Sequence, residues 1–177
     1  MAKKIFKSDL SVKGIEQLKK DLLNYKNNIL QQKVDLFAKR LAEKGVEIAR
    51  VNVARLDAIF TGELMRSIHA KYGGSAKGTA IFYVVADSEH AAFVEFGTGQ
   101  LGAEGGYPYP LPEGVDWQYG TGKTIFEISP GQYGWFYPGD DGKWYFTQGM
   151  PSRPFMYETS IELMELVTSV AREVFLQ

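Results

Sequence analysis

The chain contains no cysteine, which excludes disulfide bonds, cysteine–zinc sites and thiol catalysis. It has two histidines, His69 and His90, too few for a metal site built from several imidazoles. No apolar run approaches the roughly 20 residues that a membrane-spanning helix needs. No apolar segment follows the basic first residues, as it would in a secretory signal. We therefore expect no metal, no cofactor and no membrane contact.

Proline is absent from the first 107 residues, and residues 1–60 hold only two glycines. This scarcity of helix breakers predicts N-terminal helices, with Ser11 as an N-cap. One apolar stripe comprises Ile15, Leu18, Leu22, Tyr25 and Ile29, and a second comprises Leu30, Val34, Phe37, Leu41 and Ile48. The second stripe is offset by one position at Asn27-Asn28, which indicates either two helices or one kinked helix. The weak alternation in residues 4–11 predicts a short edge strand.

Two strands are predicted in the middle of the chain. Residues 64–72 alternate between apolar and polar side chains, as in a half-buried strand. Residues 79–86 are nearly all apolar and rich in β-branched and aromatic types, which predicts a central strand covered on both faces. A short apolar element follows at 90–96.

Aromatic residues and prolines dominate the segment 100–150. Asp141-Gly142 lies between the aromatic runs 133–137 and 143–146, which predicts a β-hairpin. Pro154 then opens a last helix. We predict a single α+β domain over 1–177. It consists of an N-terminal strand and helices (1–60), a core antiparallel sheet (61–99), a β-rich aromatic insertion (100–150) and a C-terminal helix packed on the sheet (151–177).

Charge is distributed unevenly along the chain although its net value is −1. Residues 1–50 carry 12 Lys and Arg against 6 Asp and Glu, whereas residues 51–150 carry 6 against 11. A basic end and an acidic end would suit head-to-tail contacts, and Lys19, Lys20 and Arg40 are then interface candidates. The alternative is a solvated basic helix face.

No combination of residues supports catalysis. Asp87-Ser88-Glu89-His90 contains the residue types of a catalytic triad, but four adjacent residues cannot converge on one another. We expect no catalytic residue and no enzyme activity.

Three tryptophans in the aromatic segment, together with Tyr137, are candidate interface residues: Trp117, Trp135 and Trp144. They could fill a small core, form a contact surface or stack sugars or bases. The sugar-stacking alternative describes a carbohydrate- or host-surface-binding module.

Three segments resemble a known family. Residues 61–68 (TGELMRSI) resemble its "TG-x-L-x-x-SI" signature, residues 91–99 (AAFVEFGTG) its "A-x-x-VEFGT" element, and residues 149–156 (GMPSRPFM) its "G-x-x-x-x-PF" entry to the last helix. The family is the gene-product-ten-like tail components of long-tailed phages, also called neck, head–tail joining or tail-completion proteins. The matching positions are Gly62, Leu64, Ser67, Ile68, Glu95, Phe96, Gly97, Thr98, Pro154 and Phe155.

The resemblance implies a structural protein of the virion neck, made in the host cytoplasm and encoded by a phage or prophage. It implies a homo-oligomeric ring, expected to be six-fold, that joins the head connector or adaptor to tail terminator or tail tube proteins. DNA would cross this ring only as passing cargo.

The motif residues also suggest physical roles. Gly62 and Gly97 stand where the chain must turn sharply, which fits a positive φ or a close backbone approach. Glu95 follows an apolar run that is expected to be buried, so its carboxylate needs a hydrogen-bonding or charged partner. We hypothesise Arg153 for that partner, the alternative being that Glu95 caps a turn.

Overall fold

The computed structural model describes residues 5–58, 62–120, 126–139 and 141–176. Helices and antiparallel strands confirm the α+β class. The chain divides into two compact units. The first combines the described residues up to Ile48 with Ile68–Val85 and the residues from Ser160 onwards. The second combines the described residues of Ala49–Ser67 and Ala86–Thr159. Thr61, the first residue of the first family-like segment, lies outside the described residues.

Helix α1 (Val12–Asn24) leads through a π-helical turn (Tyr25–Leu30) into helix α2 (Gln31–Arg55). A π-helical turn adds a residue to the helical repeat. The one-position offset between the two apolar stripes therefore marks this turn, and Asn27-Asn28 lies inside it.

The segment before α1 forms a cap. The Ser11 hydroxyl accepts the Gly14 N–H at 3.0 Å, which confirms the predicted N-cap. The Ser8 hydroxyl accepts the Leu10 N–H at 3.1 Å, and Asp9 accepts the Ser11 N–H at 3.0 Å. These short-range bonds turn the backbone into the helix, so the strand predicted over 4–11 was wrong for its described residues.

Strands β1 (Ile68–Ala76) and β2 (Thr79–Ala86) form a two-stranded sheet. Lys77 and Gly78 connect them with φ of 50° and 84°, the backbone of a tight hairpin turn. Most β2 side chains alternate between exposed and half-buried, so the prediction of a strand covered on both faces was wrong. The half-buried side chains of residues 80, 82 and 84 lie on one side of β2, which is its covered face.

Helix α6 (Phe155–Phe175) begins directly after Pro154, as predicted. In the first unit, the end of α6 lies against α2. Lys33 donates from Nζ to the carbonyls of Val174 and Phe175 at 3.0 and 3.4 Å. These carbonyls lie at the end of the helix, where the backbone lacks intrahelical donors.

The described residues of the second unit form three short helices and two groups of strands, besides the end of α2 and the start of α6. The strand predicted over 64–72 begins only at Ile68, because the residues before it form a helical turn. Gly62 starts this turn with φ +73°, and the Ser67 hydroxyl donates to the Leu64 carbonyl at 2.8 Å. The short elements of the second unit are α3 (Glu63–Ser67), α4 (Ala91–Phe96), α5 (Gly99–Gly105), β3 (Phe126–Ser129), β4 (Gln132–Pro138), β5 (Trp144–Thr147) and β6 (Gly149–Met150).

Strands β3, β4 and β5 form an antiparallel sheet of their own. Trp135 pairs with Thr147, and Phe136 pairs with Phe146. The predicted aromatic hairpin is therefore confirmed. Among the described residues, no helix combines the length and the apolar character that crossing a bilayer would require.

Gly45 in α2 marks a close approach in the first unit. A Cβ atom built there would lie 2.7 Å from a Val84 methyl carbon and 3.2 Å from a Leu163 methyl carbon. Gly45 thus allows α2 to approach both β2 and α6, which is why this helix tolerates a residue of low helix propensity.

We predict that Gly45→Val destabilises the protein by about 1–3 kcal/mol, because the added methyl groups overpack this contact. Glu47→Val is the matched control, since Glu47 is exposed on the same helix. Urea unfolding measures both variants. Equal stabilities for Gly45→Val and Glu47→Val would contradict the close packing of α2 at Gly45.

Candidate functional site

The second and third family-like segments meet at the buried carboxylate of Glu95. Glu95 lies near the end of α4 and is 6% exposed. It accepts the backbone N–H groups of Met156 at 2.8 Å and Tyr157 at 3.1 Å. Both amides belong to the first turn of α6, where N–H groups have no partner within the helix. Glu95 therefore caps α6 from a distant part of the chain, and the positive end of the helix dipole favours its negative charge.

Tyr107 completes the environment of the carboxylate. Its hydroxyl donates to Oε1 of Glu95 at 3.0 Å. Burial, followed by the negative charge of Glu95, raises the pKa of Tyr107, which keeps its hydroxyl protonated as a donor. The sequence analysis missed Tyr107, because it lies in an irregular stretch without periodicity.

The hypothesis that Glu95 pairs with the Arg153 side chain was wrong. Arg153 contributes its backbone N–H, which donates to the Val94 carbonyl at 2.8 Å. The adjacent Ser152 donates from its hydroxyl to the Glu95 carbonyl at 2.7 Å. The reason is local geometry, since the helix that starts after Pro154 presents two amides to the carboxylate.

Glycines let the two segments run side by side. Gly97 has φ +82°, and a Cβ there would lie 2.7 Å from the Ser152 nitrogen. The neighbouring residues form antiparallel bridges, Thr98 with Met150 and Gly99 with Gly149. The predicted positive φ is confirmed at both Gly62 and Gly97.

Residues 62–67 of the first family-like segment lie in the same unit. The Ser88 hydroxyl, near the start of α4, donates to Glu63 at 3.5 Å, and the Asp87 N–H donates to the Ser67 carbonyl at 3.5 Å. Leu64 is buried. At the unit boundaries, Ile68 is completely buried in the first unit and Phe155 is completely buried in the second. The family-like residues are therefore mainly structural in their contacts.

A second buried polar contact was not predicted from the sequence. Asn52, completely buried in α2, donates to the Thr159 hydroxyl at 3.1 Å, and Thr159 donates to the Phe155 carbonyl at 2.6 Å. Arg55 donates to Asn52 at 2.8 Å and pairs with Glu158. Asn52 follows Ile48 by four residues and so continues the second apolar stripe as a single polar residue. That position in the pattern could have indicated a buried polar contact.

An apolar cleft of about 810 Å³ lies in the second unit. Aromatic side chains form much of its wall: Phe93, Trp117, Tyr119, Trp135 and Tyr137. Its polar lining includes Glu63, Ser88, His90 and Gln118. The volume falls within the range of small-molecule sites, about 300–1,000 Å³.

The three tryptophans have different environments. Trp117 is half-buried, donates from Nε1 to the Gly97 carbonyl at 2.9 Å and packs its ring 5.0 Å from that of Phe96. Trp135 is half-buried in the cleft wall, with Tyr137 two residues along the strand. Trp144 is 68% exposed. Trp144 is thus the tryptophan with most of its surface available to a partner.

The opposite sides of the three-stranded sheet carry different residues. Side chains alternate along a strand, and cross-strand partners share a side. Trp135, Tyr137 and their partners Thr147 and Tyr145 therefore share the side that faces the cleft. The other side carries Phe126, Phe136, Phe146 and Trp144, and we call it the outer sheet face.

The basic interface candidates lie in the first unit. Lys19 and Lys20 are exposed on α1. Arg40 lies 4.0 Å from Glu173, a loose and partly exposed ion pair of small energetic value.

Among the described residues, no group of three or more His, Asp or Glu side chains could hold a metal ion. Within the same parts of the chain, every buried side-chain nitrogen and oxygen has a hydrogen-bond partner. The buried polar groups around Glu95 are therefore paired with one another or with the backbone.

A scan against protein-family models, a search of curated proteins and a search of solved structures each found no match to this chain.

We predict that Glu95→Gln lowers the free energy of unfolding at pH 7 by about 1–3 kcal/mol, because the amide NH₂ of glutamine faces a donor and leaves a backbone N–H unpaired. Glu104→Gln is the control, since Glu104 is exposed. The control should change stability by less than about 0.5 kcal/mol. Denaturant unfolding of both variants measures this, and an unchanged Glu95→Gln protein would contradict the cap.

The same variant tests the titration of Glu95. Burial, partly offset by the two amides and by Tyr107, raises the pKa of Glu95 above 4.5. The folded state then binds the proton more tightly than the unfolded state, so this group stabilises most below pH 4.5 and loses that contribution as pH rises. The stability difference between wild type and Glu95→Gln should therefore be larger near pH 4.5 than at pH 7. A difference that grows with pH would contradict the raised pKa.

Proposed function

We propose that the chain is a structural subunit of the head–tail junction of a long-tailed phage or prophage. It has no enzymatic role. It assembles into a closed ring, expected to be six-fold, that joins the head connector to the tail and lets DNA pass. The observation that carries this proposal is the amount of apolar surface that the described chain leaves exposed on two regular elements.

Helix α1 is the first of these elements. None of its residues is buried, although its apolar residues recur at helical spacing. Ile15 is 51% exposed and Leu22 46% exposed. An amphipathic helix with no buried residue is typical of a surface that another molecule covers.

The outer sheet face is the second element. Phe126, Phe136 and Trp144 are 55%, 49% and 68% exposed. Aromatic residues are enriched in the energetically important centres of protein interfaces. A chain with an exposed aromatic sheet face is therefore suited to repeated contacts in an assembly.

The resemblance of the three segments to neck proteins supports the location in the virion, and charge supports the ring. A ring requires heterologous contacts, in which one patch meets a different patch. The first 50 residues carry a net positive charge and residues 51–150 a net negative charge, so the two segments can supply contacts of opposite sign. The head connector or adaptor on one side and tail terminator or tail tube proteins on the other are the proposed neighbours.

We predict that deleting the gene gives filled heads and separate tails, and that a plasmid copy restores joined particles. Trp144→Ala should restore them poorly, because truncating an interface tryptophan costs about 2 kcal/mol or more per contact. Trp144→Phe, the conservative control, should restore most of the yield. Electron microscopy and plaque titre measure both. Joined particles at wild-type yield in the deletion strain would contradict the proposal.

A second candidate function is carbohydrate or host-surface binding, and the aromatic cleft favours it. Trp135 and Tyr137 line the same cleft as Glu63 and Gln118, a combination of residue types that can stack on a sugar and bond its hydroxyls. The cleft lies on the other side of the sheet from Trp144.

This second function predicts that chitotetraose or maltotetraose quenches the intrinsic tryptophan fluorescence. Trp135→Ala should abolish the quenching because it removes part of the cleft wall. Trp144→Ala should leave it unchanged, which makes this variant the matched control. Absence of quenching by both sugars at millimolar concentration would count against this function.

A further inference from the structure

We infer that the aromatic cleft of the second unit selects positively charged amino sugars over neutral and acidic sugars. The ammonium group of the bound sugar lies beside Glu63, and the sugar rings lie against the aromatic wall. This inference rests on the second candidate function, carbohydrate binding, and not on the neck function. It names the class of sugar that the same cleft takes.

The charge of the cleft wall is acidic. Among the described residues that line the cleft, Glu63 is the only acidic side chain, and no Lys or Arg occurs. Arg66 comes close to the backbone at Gly62, since a Cβ atom built there would lie 3.1 Å from a guanidinium nitrogen, but Arg66 is not part of the wall. Such a wall is complementary to a cation and repels an anion.

Glu63 belongs to a polar corner of the cleft. The Ser88 hydroxyl donates to Oε1 of Glu63 at 3.5 Å and accepts the backbone N–H of His90 at 3.3 Å. Glu63 is exposed, so a ligand can reach its carboxylate. An ammonium group has three N–H donors and no acceptor. A carboxylate beside a hydroxyl oxygen therefore suits an ammonium group better than it suits a neutral amide.

Aromatic rings continue the wall from this corner. The ring of His90 lies 6.5 Å from that of Phe93, and the ring of Phe93 lies 5.8 Å from that of Trp117, measured between centroids. All three residues line the cleft. The face of an aromatic ring attracts a cation within about 6 Å.

The two features together discriminate between classes of sugar. A neutral sugar can stack on the rings but gains nothing from the charge of Glu63. An acidic sugar would bring a second carboxylate towards that charge. An amino sugar uses both the rings and the carboxylate, so we expect the order of affinity to be amino, neutral and then acidic.

Three tetrasaccharides of equal length test this order on the full-length protein. They are the glucosamine tetramer, its N-acetylated form chitotetraose, and tetragalacturonate. Each is titrated in a buffer that keeps the amino groups protonated, while intrinsic tryptophan fluorescence is recorded. The glucosamine tetramer should bind about tenfold more tightly than chitotetraose, through one exposed ion pair and one cation–π contact. Tetragalacturonate should bind most weakly.

Glu63→Gln removes the charge and keeps the size and the hydrogen-bonding capacity of the side chain. It should bring the dissociation constants of the glucosamine tetramer and chitotetraose within about threefold of each other. Glu104→Gln is the matched control, because Glu104 is also exposed but does not line the cleft. This control should keep the tenfold preference of the wild type. Circular dichroism checks that both variants fold.

Equal binding of the glucosamine tetramer and chitotetraose by the wild type would overturn the inference and keep the carbohydrate function. A tenfold preference that persists in Glu63→Gln would also overturn it, because the charge would then come from elsewhere. Quenching by none of the three tetrasaccharides would remove the inference and the carbohydrate function together. The gene-deletion experiment is independent, since the joining of heads to tails does not require a sugar.

Discussion

The second unit depends on one buried carboxylate. Glu95 sits at the end of α4 and accepts the backbone N–H groups of Met156 and Tyr157 in the first turn of α6. A charge removed from water is costly unless hydrogen bonds replace the lost hydration, and here two amides and the Tyr107 hydroxyl replace it. The contact fixes where α6 begins. Beside this contact, Gly97 and Gly149 leave room for the two segments to approach closely and form antiparallel bridges.

Much of the fold could be predicted from local patterns. Ser11, the Asp141-Gly142 turn and Pro154 marked a helix start, a hairpin and a second helix start, because each of these residues acts on its immediate neighbours. The one-position offset at Asn27-Asn28 indicated the π-helical turn without identifying it. The errors arose where tertiary contacts, and not the local sequence, determine the secondary structure or the burial of a segment. Residues 64–67 alternate like a strand but form a helical turn, and β2 has an apolar sequence but only one covered face.

The candidate site could be predicted only in part. The sequence indicated that Glu95 needs a partner and that Gly97 needs a positive φ, since both requirements follow from the residue itself. It could not identify Met156, Tyr157 and Tyr107 as the partners, because backbone amides and an irregular loop leave no signature. Nor could it separate Trp144, which is exposed, from Trp117, which is packed against Phe96.

We propose a molecule that works by contact with copies of itself and with neighbouring proteins. Among the described residues, the buried side-chain nitrogens and oxygens are hydrogen-bonded, while apolar residues of α1 and β4 remain on the surface. An electron cryomicroscopy map of the joined phage particle tests this most directly. We expect a closed ring of this chain between the head connector and the tail, with DNA in its channel. A neck that is fully accounted for by other proteins would contradict the proposal.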